Sequence, residues 1–388
     1  MKNQLLPVWS LAFFLLACTS EPEEIPQTPL SDRNLEFEIY DSLVVDYLGN
    51  LILMDISPDG ESFLLIDQNT DSIFVTNPEG NILNKYKLAG DGPENYTESR
   101  SGLAKFISPE EYLLPTSTAI YRYNLDGKLG EKYELGFSPN IMLIVSNGDN
   151  LGLRENKVYT TMSGRAMEEG KMGIEYQKVA NVLEILDLET GEYTPTTPFP
   201  RMSRFSSETE SHTSLAYYAN VAVNGDSVFI SFRNEPTIYS YHYTQLDSPA
   251  RVMDVPFGNF ILSEPAEDED QSGFRMRDLF VGTINSVIPI GDGQYMIDYL
   301  SGLKDEEINP ILSEMSGDFS KIFEEANKIN TAGRVIFDGK SISPIIHKPK
   351  LLGSLTKFVS QEEIWFALNF SEAENDYSVI YKTRLIEK

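Results

Sequence analysis

The sequence predicts an all-β fold: a six-bladed β-propeller with a small helical insertion, its ring closed by the N-terminal strand. Seven blades is the alternative count. Three observations carry this prediction. A strand-and-turn pattern repeats at a spacing of 47 residues, a period that suits a propeller blade. Six tight turns follow apolar segments along the chain. One strand is left over at the start, and the last unit is one strand short.

In chain order, the first element is a leader. Leu5 to Ala17 is apolar apart from Pro7 and Ser10, too short for a membrane span, which needs about 20 residues, but suited to a secretory signal. It ends Leu15-Leu16-Ala17-Cys18, and Cys18 is the only cysteine of the chain. This resembles the bacterial lipobox, with Leu16 a less usual choice at its position. The resemblance implies cleavage after residue 17, acylation of Cys18 and a membrane anchor, and it leaves no thiol for catalysis. The stretch that follows holds Glu21, Glu23 and Glu24 and then a Pro-rich run through Pro29, which reads as a solvated tether. Acidic residues just after the lipidated cysteine resemble the surface-export signal of Bacteroidota lipoproteins, so the cell surface is expected rather than the periplasmic face. The expected division is a signal over 1–17, the anchor and tether over 18–34 and one propeller domain over 35–388.

The repeat is clearest in two segments. Phe63-Leu64-Leu65 corresponds to Tyr112-Leu113-Leu114, Asn77-Pro78-Glu79-Gly80 to Asn124-Leu125-Asp126-Gly127, and Lys85-Tyr86-Lys87-Leu88 to Lys132-Tyr133-Glu134-Leu135. Asn suits the first position of such a turn because its side chain bonds the backbone ahead, and Gly supplies the positive φ. Asp187-Leu188-Glu189-Thr190-Gly191 repeats the turn with one extra residue. The unit-counting turns are Ser57 to Gly60, Ser108 to Glu110, Asn147 to Asp149, Asn224 to Asp226, Gly291 to Gly293 and Ser360 to Glu362. Inner strands are expected ahead of them, among others Leu51 to Ile56, Ile141 to Val145, Tyr218 to Val223, Val281 to Ile290 and Leu352 to Val359. Insertions are expected at Ser163 to Lys178 and Lys304 to Asn330. In the latter, apolar residues from Ile311 to Ala326 fall at helical spacing, predicting a helix packed on the rim. Leu35 to Tyr40 is an unassigned alternating strand. A free sheet edge is an aggregation hazard, so it is assigned as the outer strand of the final blade. That makes one closed domain of a 388-residue chain whose length alone suggests two or three.

Gly90-Asp91-Gly92-Pro93-Glu94-Asn95-Tyr96 resembles the Gly-x-Gly-Pro-Gly-Glu-aromatic motif of six-bladed propeller lipoproteins of Bacteroidota, with Glu94-Asn95 in place of Gly-Glu. The resemblance is to one of that group's domain-of-unknown-function families. It implies the fold and an envelope location and no activity. Physically the loop is either a tight crossover between blades or a backbone cradle for an anion.

Composition limits the chemistry. Lys and Arg number 31 against 59 Asp and Glu, a net charge of −28, which argues against nucleic acid as a partner. Hydrophobic residues make up 41% and aromatic residues 11%, enough for a sizeable core. The tryptophans, Trp9 and Trp365, do not form the Asp-box turns of sialidases. No Gly-x-Ser-x-Gly, Walker A or His-Glu-x-x-His pattern occurs. Glu264 to Asp270 is an acidic loop able to hold Ca²⁺ weakly. His212, His242 and His347 are scattered and read as structural.

The arginines supply the candidate site. Arg201, Arg204, His212 and Tyr217 lie in the loop before the fourth blade, Arg275 and Arg277 in the loop before the fifth, and Arg100 before the second. Loops that enter inner strands line one mouth of a propeller channel. Arg suits forked recognition of carboxylates and Tyr suits stacking. The competing reading is that these arginines neutralise acids such as Glu208, Glu210 and Asp278. The expected function is a non-catalytic, envelope-anchored lipoprotein binding an anionic ligand or protein partner at one mouth, without a cofactor. The alternative is a Ca-dependent hydrolase or lactonase with channel carboxylates.

Overall fold

The computed structural model describes residues 28–137, 151–161, 165–168, 170–171, 173–266, 275–315, 317–373 and 375–388. Cys18, the leader, most of the tether and the expected strand over 141–145 lie outside the described residues.

Six sheets follow one another around a ring. Blade 1 is β2 (Leu51–Ile56), β3 (Phe63–Asp67), β4 (Ser72–Thr76) and β5 (Ile82–Lys87). Blade 2 is β6 (Lys105–Phe106), β7 (Glu111–Pro115), β8 (Ala119–Asn124) and β9 (Leu129–Glu134). Blade 3 is β10 (Leu151–Arg154), β11 (Lys157–Thr160), β12 (Asn181–Asp187) and β13 (Tyr193–Pro198). Blade 4 is β14 (Ala219–Asn224), β15 (Ser227–Phe232), β16 (Thr237–His242) and β17 (Arg251–Asp254). Blade 5 has three strands, β18 (Thr283–Gly291), β19 (Gln294–Leu300) and β20 (Ala332–Phe337). Blade 6 is β21 (Leu352–Ser360), β22 (Glu363–Leu368) and β23 (Ser378–Glu387), and β1 (Leu35–Val45) is its outer strand.

The ring therefore closes as the sequence predicts. β1 pairs antiparallel with β23 from Leu35↔Glu387 to Val45↔Ser378, with a shift in register between Ile39 and Asp41. It runs five residues beyond the expected Tyr40 because that irregularity lets the ladder resume. Its buried residues Leu35, Phe37, Leu43 and Val45 alternate at period 2 on either side of it. Contact begins earlier than the tether boundary allowed: Leu30 is buried in the same core as Leu35 and Phe37, and Arg33 pairs with Glu387 at 2.8 Å. A second clasp ties the inner ring. Asp55 on β2 accepts from the Phe106 amide of β6 at 2.7 Å and pairs with Lys357 of β21 at 2.5 Å, joining blades 2, 1 and 6.

The repeated turns work as their residues suggest. Gly80, Gly127 and Gly191 adopt φ of 82°, 75° and 74°, and the Asn124 side chain accepts from the Asp126 and Lys128 amides at 3.0 and 2.9 Å. Each blade also leans on the next. A Cβ on Gly127 would stand 2.9 Å from the Tyr86 ring, and Gly191 faces the Tyr133 ring. The recurring Lys-Tyr dipeptides thus mark where one blade's outer strand meets the next blade's turn. Gly90 to Tyr96 is a crossover: Tyr96 is buried, its amide donates to the Leu88 carbonyl at 2.9 Å and its carbonyl accepts from the Gly90 amide at 3.0 Å.

The described hairpin of blade 3 turns at Glu155 and Asn156, between Arg154 and Lys157, with β10 innermost; the expected turn at Asn147 to Asp149 and the expected strand Ile141 to Val145 lie outside the described residues. Glu155 takes a φ of 53°, a left-handed position the sequence gives no glycine to announce. The insertion over 304–330 is two helices rather than the one expected, α3 (Asp305–Glu314) and α4 (Phe319–Ile329), which follow α1 (Arg165–Glu168) and α2 (Gly173–Val179) of the 163–178 insertion. Gly317, at φ 95°, separates them, and the Asp318 side chain caps α4 by accepting from the Lys321 amide. The pair packs through Ile308, Ile322 and Ala326 on Phe280 and Leu303. Among the described residues no helix is long and apolar enough to cross a membrane.

Candidate binding site

The loops entering blades 4 and 5 are held by an internal polar network. Arg204, in a short 3₁₀ turn over Arg204–Ser206, donates to Asn234 Oδ1 at 3.0 Å and to the Ser263 carbonyl at 2.5 Å. Its backbone amide donates to Glu235, whose carboxylate also accepts from Ser203 and Tyr239. Arg275 forks onto Asp278 at 3.0 and 3.1 Å and reaches the carbonyls of Pro265 and Glu264. His212 lies between the two arginines. Arg204 Nη2 approaches its Nδ1 at 3.5 Å, which makes Nδ1 the acceptor and leaves the proton on Nε2, a buried atom without a partner. Burial, then the positive charges of Arg204 and Arg275, lower its pKa to about 4. Burial also lowers the Arg204 pKa and raises that of Glu235.

The structure thus brings Arg204, His212 and Arg275 together, with the donors of both arginines turned to protein acceptors. The other predicted residues lie apart from this network. Arg100 pairs with Asp71 at 2.9 Å. Arg277 pairs with Asp305 at 2.6 Å and donates to the Leu303 carbonyl, fastening the helical insertion. Arg201 is exposed. Tyr217 cannot stack on a ligand: it is buried among Tyr176, Phe199 and Phe205, with ring centroids 5.4 to 6.0 Å away. An aromatic cluster outcompetes a solvent-facing pose because each ring removed from water adds about 2–3 kcal/mol.

The open space lies elsewhere. A cavity of about 410 Å³ occupies the central channel, walled by the inner strands of blades 4, 5 and 6 and reached by Lys105 and Leu151 of blades 2 and 3. Its wall alternates aliphatic residues such as Val221, Val287 and Ile288 with polar ones, Lys105, Asn220, Asn224, Ser286, Ser360 and Gln361. Asn220 bonds the Ile284 carbonyl across the seam between blades 4 and 5 at 3.2 Å. Just beyond, Arg233 donates its amide to Tyr218 and accepts from the Ile284 amide, both at 2.8 Å. Its guanidinium is half-buried, its Nε has no hydrogen-bond partner, and no carboxylate among the described residues pairs with it. Burial alone lowers its pKa to about 10, so it remains charged at neutral pH. Among the described residues no three His, Asp or Glu side chains converge as metal ligands.

Sequence reasoning missed these positions. Asn220 and Ser286 carried a signal, as polar residues inside otherwise apolar inner strands. Arg233 carried none, because Glu235 two residues away looks like its partner and is instead bound to Ser203, Tyr239 and the Arg204 amide.

No family model matches the chain, and no curated protein does. Solved structures do. A member of the DUF4221 family from Bacteroides vulgatus superimposes with a TM-score of 0.62 at 12% identity, covering 92% of this chain and 99% of that one. A putative exported protein from Bacteroides fragilis gives a TM-score of 0.48 at 15% identity, covering 92% and 98%. The chain is a six-bladed β-propeller, and it shares that fold with the DUF4221 structure.

Proposed function

We propose that this protein is an envelope lipoprotein, anchored in the outer membrane through Cys18 and facing the cell surface, whose propeller binds an anionic ligand or partner at the channel without catalysing a reaction. One observation carries the binding reading: the channel cavity, whose wall combines aliphatic side chains with several polar ones, as a ligand pocket does. Lys105 reaches the cavity itself, and Arg233, whose backbone bonds Tyr218 and Ile284 beside it, supplies a cation that no described carboxylate neutralises. On a chain of net charge −28, such a local cation selects a particular anion while the surrounding field discourages others.

The ligand is sought by calorimetric screening of the full chain against acidic glycans and peptides. Ser286→Trp, which fills the channel, and Arg233→Met, which removes the charge, are both expected to abolish the binding found. Binding that survives both contradicts the reading. The anchor is tested separately. Cys18→Ser is expected to shift the protein out of the detergent-requiring membrane fraction, and an unchanged fractionation contradicts lipidation at this residue.

A further inference from the structure

Blade 5 departs from the regular architecture, and the departure opens a second cavity. In place of a fourth strand, an irregular segment runs back along β20: the Ser343 amide donates to the Ile336 carbonyl and the Ile346 amide to the Arg334 carbonyl, both at 2.8 Å. The segment then crosses to blade 6, where His347 exchanges hydrogen bonds with β1 through the Leu35 carbonyl and the Phe37 amide, at 2.9 and 3.0 Å. Both sheet edges are thereby covered, and a groove of about 830 Å³ remains between the blades.

The groove has the composition of a recognition site. Its apolar side is formed by Phe37, Ile345 and Leu352. Asn34 and Ser354 offer hydrogen-bonding side chains. Two cations face one carboxylate: Arg334 pairs with Asp298 at 2.6 Å, while Lys348 Nζ donates only to the Gly353 carbonyl at 2.9 Å. Burial first, and Arg334 next, make the charged form of Lys348 less favourable than in water. An incoming carboxylate offsets the repulsion from Arg334. The surplus is a single positive charge, and Asp298 stands close enough to repel a second negative one.

We propose that this groove binds a small molecule bearing one carboxylate, of the uronic-acid sugar type, with Lys348 holding the carboxylate. A sugar body matches the apolar face and the amide and hydroxyl groups. A phosphate dianion does not fit, because its second charge meets Asp298. The site is separate from the channel: an acid bound here survives Ser286→Trp and is lost in Lys348→Met, so the channel variants are compared in a Lys348→Met background and the two readings stand or fall separately.

The probe is galacturonic acid, which carries a single carboxylate, titrated into the full chain with its methyl ester and inorganic phosphate as comparisons. Saturable binding of the acid is expected, at least about tenfold tighter than that of the ester or of phosphate. Lys348→Met should weaken the acid by about tenfold or more with an unchanged melting temperature, and Lys348→Arg should retain it. The proposal is overturned by ester or phosphate binding equal to the acid, by Lys348→Met binding as wild type, or by no binding of the acid at all. Should Lys348→Met melt early, the ester comparison on the wild-type chain decides alone.

Discussion

His212 shows what the arginine-rich loops are for. The ring packs edge-on against Phe205 at 5.2 Å and takes its place between two guanidinium groups only as the neutral imidazole. The unfolded chain binds a proton there below pH 6.5, the folded chain only below about 4. Stability is therefore full above pH 6.5 and declines as pH falls towards 4, by about 3 kcal/mol from this residue. Denaturant unfolding at pH 7 and at pH 4.5 measures it. His212→Asn, lower in stability at pH 7, should lose distinctly less than wild type on acidification, and equal losses would show that the ring is not the group being protonated. The same geometry explains why arginines legible as a cluster in the sequence were not legible as a site. Their spacing placed them on neighbouring loops, and Asp278 takes Arg275 as the competing reading expected, but the partners of Arg204 are Asn234 and the Ser263 carbonyl from other loops, which no local pattern announces.

Among the elements, β1 carries the closure. It contributes Leu35, Phe37, Leu43 and Val45 to the core, and burying four such side chains is worth about 6–12 kcal/mol, comparable to the whole stability of a domain. Its far end also meets blade 1, since a Cβ on Gly80 would collide with the Val44 carbonyl. Removal of residues 1–28 should leave the melting temperature unchanged, removal through Asn34 should lower it modestly through loss of Leu30 and Arg33, and removal through Val45 should unfold the domain. Circular-dichroism melts of the three truncations check this, and three equal melting temperatures would mean that the N-terminal strand does not close the ring. This element was readable because its alternation and the missing strand of the last blade are both sequence properties. So were the turns at Asn77 and Asn124, where side chain and glycine impose one geometry. The Glu155 hairpin of blade 3 was not readable, because it takes a left-handed turn position without a glycine, and neither was the break between α3 and α4. Apolar spacing continues across that break, and tertiary packing on Phe280 and Leu303 decides which residues are buried.

At the scale of the whole molecule, closure and binding are linked. A ring clasped at its rim by β1 and at its hub by Asp55 presents the channel as a rigid, preformed cavity, which reduces the entropy lost on binding. The strongly acidic surface surrounds two places where a cation is incompletely neutralised, Arg233 by the channel and Lys348 in the groove between blades 5 and 6. The channel is proposed to bind a ligand without converting it. This is tested most directly by titrating the best ligand of the screen into the full chain and into Ser286→Trp, then recovering the ligand for mass spectrometry after prolonged incubation. Saturable binding to the wild type, none to the filled channel, and a ligand recovered intact are expected. A cleaved or rearranged ligand, or equal binding by Ser286→Trp, would contradict it.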